Sequence, residues 1–256
     1  MNNLLNDKVI LVAGAGGLLG ATLVFEILKQ GAKVIAADLS INTMRPRLEK
    51  LGINVDADEI TLIELDVTNE DESVAFFSSV ELLHGAVNAT YPRNKTYGAH
   101  FFDVSLASFN ENLALHLGSA FLFTQQCAKY FEKHKHTFSL VNISSVYGVI
   151  APRFEVYKNT KMTMPVEYAA IKSALLHLNK YAVSYINDSR FRINSVSPGG
   201  IFDSQPQEFL NSYKQYTNGA GMLNVDDICG TVLYLLSEQS KFVTGQNIIV
   251  DDGFSL

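Results

Sequence analysis

Residues 8–38, KVILVAGAGGLLGATLVFEILKQGAKVIAAD, constrain the fold of this chain more than any other stretch. Val9 to Ala13 is an apolar run of strand length, rich in β-branched residues. Gly14, Gly16, Gly17 and Gly20 follow, and a helix-period stretch to Gln30 is closed by Gly31. A second apolar run, Lys33 to Ala37, ends at Asp38. Strand, glycine turn, helix, strand and acid in that order make a βαβ unit with the mechanics of dinucleotide binding. The glycines let the backbone approach a pyrophosphate, whose charge is favoured at the helix N-terminus. Asp38 can accept hydrogen bonds from the adenosine ribose hydroxyls and would repel a 2′-phosphate. NAD(H) is therefore expected in preference to NADP(H).

The alternation continues to the end of the chain. Strand patterns fall near 8–13, 33–37, 60–65, 84–89, 138–143, 190–196 and 246–250. Helical patterns fall near 17–30, 42–51, 70–81, 105–133, 164–187, 205–216 and 225–237. Such alternation predicts an α/β fold, a parallel sheet covered by helices on both faces. The 256 residues suit one domain, and 47% hydrophobic residues supply a large core. A net charge of −6 argues against nucleic acid as a partner. No apolar run reaches the roughly 18 residues of a membrane span, and MNNLLNDK is no signal peptide, so a cytoplasmic location is expected. The two cysteines, Cys127 and Cys229, lack metal-ligand spacing and the six histidines form no convincing cluster, so no metal is expected.

Chemistry is carried by Tyr168 and Lys172 in VEYAAIKSALLHLNKY, with Ser145 in LVNISSVYG 23 residues before the tyrosine. A free tyrosine, with a pKa of about 10, is a poor acid–base group at neutral pH. A lysine four residues on shares its helical face, and an ammonium there favours the phenolate. A serine hydroxyl from another segment can hold a carbonyl or alcohol oxygen. The trio reads as a device for moving a proton on and off a C–OH/C=O group. Ser144 is the competing serine; side chains at adjacent strand positions point to opposite faces.

Taken together, these motifs resemble the short-chain dehydrogenases/reductases over nearly the whole chain. The turn Ala13-Gly14-Ala15-Gly16-Gly17-Leu18-Leu19-Gly20 is similar to that family's T-G-x-x-x-G-x-G, with Ala13 for the threonine and Leu18 for the middle glycine. The resemblance implies a Rossmann-type doubly wound sheet of seven strands in the order 3-2-1-4-5-6-7. It implies cofactor contacts from Gly14, Gly17, Leu18, Leu19, Asp38, Asp66, Val67, Asn88, Ala89, Tyr168, Lys172, Pro198, Gly199 and Ile201. Asp203 stands where the family has a threonine contact. It implies Asn112, Ser145, Tyr168 and Lys172 as catalytic residues, with Asn112 holding a water in the proton relay. Lys172 would lower the tyrosine pKa and bind the nicotinamide ribose. It also implies a dimer or tetramer through the two long helices.

The serine-to-tyrosine gap is longer than the family's usual dozen or so, and residues 152–165 read as an insertion at the active-site mouth. That segment and the RNK group at 93–95 gather basic residues, which suggests an anionic sugar derivative as substrate, contacted by Arg93, Arg153, Tyr157 and Lys161 besides Ser145 and Tyr168. The stretches TYPRNKTYG, FNENLALHLGSAF and VYKNTKMTMPVEYAAIK look like a subgroup serving bacterial surface-sugar biosynthesis or flagellin modification. Residues 202–222 fall where the family has its substrate lid. The expected activity is hydride transfer between nicotinamide and an alcohol or carbonyl carbon. Two readings compete: an epimerase or dehydratase that retains its NAD, and a dinucleotide-binding scaffold without turnover.

Overall fold

The computed structural model describes residues 3–256. Seven strands form one sheet: β1 Val9–Ala13, β2 Lys33–Asp38, β3 Ile60–Glu64, β4 Gly85–Asn88, β5 Phe138–Ile143, β6 Phe191–Pro198 and β7 Asn247–Val250. The order is β3-β2-β1-β4-β5-β6-β7, and every neighbouring pair is parallel. Strands covered on both faces read as continuous apolar runs rather than alternating ones. All four residues of β4 and all eight of β6 are accordingly buried. One core cluster, including Leu23, Ile27 and Val232, fills one face of the sheet, and a second, including Phe77, Phe123 and Phe131, fills the other.

The helices follow the expected places. They are α1 Leu18–Lys29, α2 Ile41–Lys50, α3 Glu70–Ser79, α4 Leu106–Asn112, α5 Ser119–His134, α6 Val166–Ile186, α7 Gln207–Lys214 and α8 Asp226–Leu236. The stretch expected as one helix over 105–133 is interrupted by a π turn, Leu113–Gly118, between α4 and α5. Single π turns inside α-helices occur often at functional sites. Apolar periodicity does not reveal this one, since it is set by packing against α6. A buried polar chain ties α6 to the sheet: Asn142 Nδ2 of β5 donates to Asn179 Oδ1 at 2.8 Å, and Asn179 Nδ2 donates to Ser195 Oγ of β6 at 2.6 Å. The strands run parallel, so all their carboxyl ends meet at one edge. In open α/β sheets that edge is where ligands bind.

Candidate active site

Two adjoining cavities open at this edge. The first, of about 510 Å³, is walled by the segments that leave β1, β2, β3 and β4, with Gly14, Gly17, Asp38, Asp66 and Val67 among its lining residues. Gly14 has φ +83°, and a Cβ there would stand 2.8 Å from the Ala89 carbonyl oxygen; a Cβ on Gly20 would collide with the Gly14 carbonyl. The turn therefore lies flat against β4 and α1, its backbone too close to both to admit side chains at Gly14 or Gly20. Asp38 Oδ2 accepts from the Gly16 N–H at 2.7 Å, and Oδ1 from the Leu39 N–H at 2.8 Å. The carboxylate is thus held at the turn with lone pairs to spare for ribose hydroxyls. Arg47 Nη1 donates to the Gly16 carbonyl at 2.8 Å, a cation beside Asp38 that sequence reasoning passed over. Asn88 Oδ1 accepts from the Thr90 N–H and hydroxyl, at 3.2 and 2.7 Å, and shapes the strand end. Ala89 lines both cavities. Leu19 lines neither cavity, and its side chain packs on the core beneath the turn.

The second cavity, of about 440 Å³, is lined by Ser145, Tyr168 and Lys172, with Leu18, Pro198, Gly199 and Ile201 on the side toward the first. Ser145 caps the short turn Val146–Gly148, its Oγ accepting from the Tyr147 N–H at 3.2 Å, and it lines the same cavity as Tyr168. Ser144 Oγ donates to the Lys172 carbonyl at 2.9 Å, which anchors α6. Gly148 sits so close that a Cβ would lie 2.7 Å from that same carbonyl. Lys172 Nζ donates to the Ile143 carbonyl at 2.8 Å and lies 5.6 Å from the Tyr168 ring centroid.

Burial governs the electrostatics here. It lowers the Lys172 ammonium from 10.5 to about 7. It holds the Tyr168 phenol above its ordinary 10, with the Ser145 hydrogen bond acting downward and Tyr147 upward. Lys172 is not among the groups that pull the phenol down; that pull comes from Ser145. The amine is itself desolvated, with its Nζ at 2.8 Å from the Ile143 carbonyl and 3.3 Å from His116 Nε2.

Asn112 does not reach the tyrosine–lysine pair. It is 1% exposed, its Nδ2 donates to Asn94 Oδ1 and the Ser108 carbonyl, each at 3.1 Å, and to Glu167 Oε1 at 3.4 Å, and its Oδ1 accepts from the Asn94 N–H at 3.0 Å. The residue one turn on, His116, meets Lys172 instead, with Nε2 3.3 Å from Nζ. The sequence signal for it was a second polar residue in FNENLALHLGSAF, four positions after Asn112 on the same face. Tyr91 was also missed. Its ring packs edge-on to Tyr168 and His116, with centroids 5.6 and 5.1 Å apart, and it lines both cavities.

The expected basic mouth is not assembled. Arg153 Nε donates to the Phe254 carbonyl at 3.1 Å and Nη2 to the Leu256 carbonyl at 2.8 Å, with the guanidinium over the Tyr216 and Phe254 rings. Lys161 is exposed and lines neither cavity. Arg93 lies over the Tyr91 ring and lines the dinucleotide cavity. Tyr157 does line the second cavity, beside Phe209, Tyr213, Met162, Met164 and Met222. The wall contributed by residues 152–165 and 202–222 is thus aromatic and thioether in character, with the acid Asp203 on it.

A parallel doubly wound sheet, a glycine turn under one cavity and a Ser-Tyr-Lys trio in the next define a nicotinamide-dependent oxidoreductase of the Rossmann class. A family model described as enoyl-(acyl carrier protein) reductase matches residues 15–255. The chain is 36% identical to the post-translational flagellin modification protein A of Campylobacter coli, over 99% of this chain and 100% of that one. It is 25% identical to the 7alpha-hydroxysteroid dehydrogenase of Bacteroides fragilis, over 99% of this chain and 96% of the relative. A short chain dehydrogenase of Leptospira borgpetersenii, solved with bound NAD+, superposes with TM-score 0.86 at 28% identity, covering 100% of this chain and 95% of that one. The protein belongs to the short-chain dehydrogenase/reductase family.

Proposed function

We propose that this protein is an NAD-dependent dehydrogenase/reductase acting at an alcohol or carbonyl carbon of a sugar derivative. The observation that carries the reading is the convergence of Ser145, Tyr168 and Lys172 on the wall of a cavity that shares Ala89, Thr90 and Tyr91 with the glycine-turn cavity. The residues present fit a dinucleotide: the turn at Gly14–Gly17 suits the pyrophosphate, Asp38 the adenosine ribose, and Asp66 with Val67 the adenine. The nicotinamide, when bound, takes or gives the hydride. In the reduction direction Tyr168, which burial holds as the neutral phenol, gives its proton to the carbonyl oxygen, and Ser145 holds the same oxygen as charge develops on it. Lys172, with Nζ 5.6 Å from the Tyr168 ring centroid, would hydrogen-bond the ribose of a bound nicotinamide with its remaining N–H.

Tyr157, Tyr213 and Phe209 offer ring faces to the C–H face of a sugar ring, and the two tyrosine hydroxyls offer polar contacts. With Lys172 as the cation on this wall and Asp203 nearby, an uncharged or amide-bearing sugar fits better than a phosphorylated one. The identity to a flagellin modification protein across both whole chains supports a role in the same kind of protein modification. The NAD+ bound in the Leptospira structure supports the cofactor class. Phe121 of α5 and Tyr181 and Tyr185 of α6, exposed at 50%, 64% and 79%, fit burial against a second copy, which sedimentation tests.

Fluorescence titration with NADH and NADPH, followed by a turnover screen of sugar alcohols and ketoses, tests the reading. Tight NADH and weak NADPH binding is expected. Tyr168→Phe should cut turnover by about 10²–10⁴-fold, the usual worth of a general acid–base group, and leave NADH affinity near wild type. Equal turnover in that variant removes Tyr168 from its role.

A further inference from the structure

We infer that His116 is a positioning residue for Lys172: its Nε2 accepts a hydrogen bond from the lysine ammonium and fixes which proton that ammonium presents toward Tyr168. Lys172 has three N–H donors. One goes to the Ile143 carbonyl at 2.8 Å, and His116 Nε2 stands 3.3 Å away to take the second. The third is left for the side of the cavity. Without His116 the ammonium can rotate about its one strong hydrogen bond.

The surroundings decide the state of the imidazole. Lys172 of α6, and Tyr91 and Arg93 of the segment after β4, are the charged and titratable groups that face it. Both of the cations disfavour an imidazolium, and burial does so more strongly, which lowers the ring to about 2. A neutral imidazole has one donor and one acceptor nitrogen. Opposite an ammonium, Nε2 is the acceptor, so Nδ1 carries the hydrogen. Nδ1 is buried without a partner among the described residues. A buried orphan donor is a cost that a histidine serving packing alone would not keep, since an apolar ring fills the same space. The π turn adds to the case. The π turn, Leu113–Gly118, contains His116 and lies against α6, where Asn112 meets Glu167 and His116 meets Lys172.

Nitrogen-15 correlation spectra of the full chain, labelled at histidine and lysine, test this directly. At pH 6 the His116 signal is expected to show Nε2 unprotonated and Nδ1 protonated. The Lys172 side-chain titration, assigned by its loss in Lys172→Met, should move down by about one pH unit in His116→Phe, the low end for a charge-assisted hydrogen bond of this length. His116→Gln, whose amide oxygen can occupy the Nε2 position, should recover most of that shift. The opposite tautomer in the native chain, or an unmoved Lys172 midpoint in His116→Phe, overturns the inference; if the Phe variant fails to fold, the native tautomer decides. The proposal rests on the reaction assigned above only for its kinetic readout. There the acid limb of the kcat profile should shift in the Phe variant and return in the Gln variant, with KM unchanged. A chain that turns over nothing sinks the reaction and leaves the spectra to judge the contact.

Discussion

Replacing Lys172 by methionine should remove activity and change the pH dependence of stability in a direction fixed by the structure. Lys172 is 5% exposed, and burial lowers its ammonium from 10.5 to about 7. The folded-state value is depressed, so between about 7 and 10.5 the unfolded chain binds a proton that the folded chain does not. Stability then rises with pH across that window, by up to about 1.4 kcal/mol per pH unit. The penalty is full at and below pH 7, where the gap between 10.5 and about 7 amounts to roughly 5 kcal/mol, and it vanishes above 10.5. Methionine has a similar length and no charge, so this dependence disappears with it. The lost hydrogen bond to the Ile143 carbonyl adds a constant offset of about 1–3 kcal/mol against the variant. Urea denaturation of both proteins at pH 7.5, 8.5 and 9.5 isolates the effect, because groups common to both cancel in the difference. The advantage of the methionine variant should shrink by about 2–3 kcal/mol from the lowest to the highest of these pH values. Parallel profiles would refute the claim that Lys172 is a proton-releasing buried amine at neutral pH.

Gly148→Ala places a Cβ 2.7 Å from the Lys172 carbonyl, well inside ordinary contact, so the Ser145 turn must lift from α6. Stability should fall by about 1–3 kcal/mol, and kcat should drop ten- to a hundredfold through misplacement of Ser145; wild-type melting and turnover together would refute the close packing. Asp38→Ala removes the repulsion toward a 2′-phosphate and leaves Arg47 close by, so the NADPH/NADH affinity ratio in a fluorescence titration should rise at least about tenfold, one unscreened charge contact being worth that much. An unchanged ratio would mean that Asp38 does not select the cofactor. Asn179→Ala strands the Asn142 amide and the Ser195 hydroxyl in the core, costing about 2–5 kcal/mol in urea denaturation; a loss under 1 kcal/mol would show the chain to be replaceable by water.

The fold was legible because its signals are local and repeated. The glycine turn, the apolar runs and the Gly or Pro boundaries each act within a few residues, and parallel strands covered on two faces leave continuous apolar stretches. Ser145, Tyr168 and Lys172 were legible for a related reason. Two of them share a helix face, and the third follows a buried strand whose carboxyl end can point nowhere but the site. What failed to read was decided by contacts distant in sequence. His116 and Asn112 lie on one face four residues apart, and only packing of the π turn on α6 shows which of them meets Lys172. Arg153 and Lys161 read as a basic mouth because loops near a site usually face the ligand. The guanidinium instead holds the Phe254 and Leu256 carbonyls, a contact 101 to 103 residues away that no local pattern announces.

The same buried polar groups that make the site expensive make it selective about charge. Lys172, His116, Glu167 and Asn112 are all at most 5% exposed, and none of them is satisfied by a full ion pair among the described residues. His116 Nδ1 and Glu167 Oε2 have no partner at all among the described residues. A stretch optimised for stability would replace such groups by apolar ones. Their combined effect here is a phenol and an amine that both resist charging, side by side under the aromatic wall of Tyr91 and Tyr157. With the phenol above its ordinary 10 and the amine near 7, the proton rests on the phenol, and passing it to the amine runs uphill. That order suits delivery of the Tyr168 proton to a carbonyl oxygen, with the amine behind it left free of the charge that burial opposes.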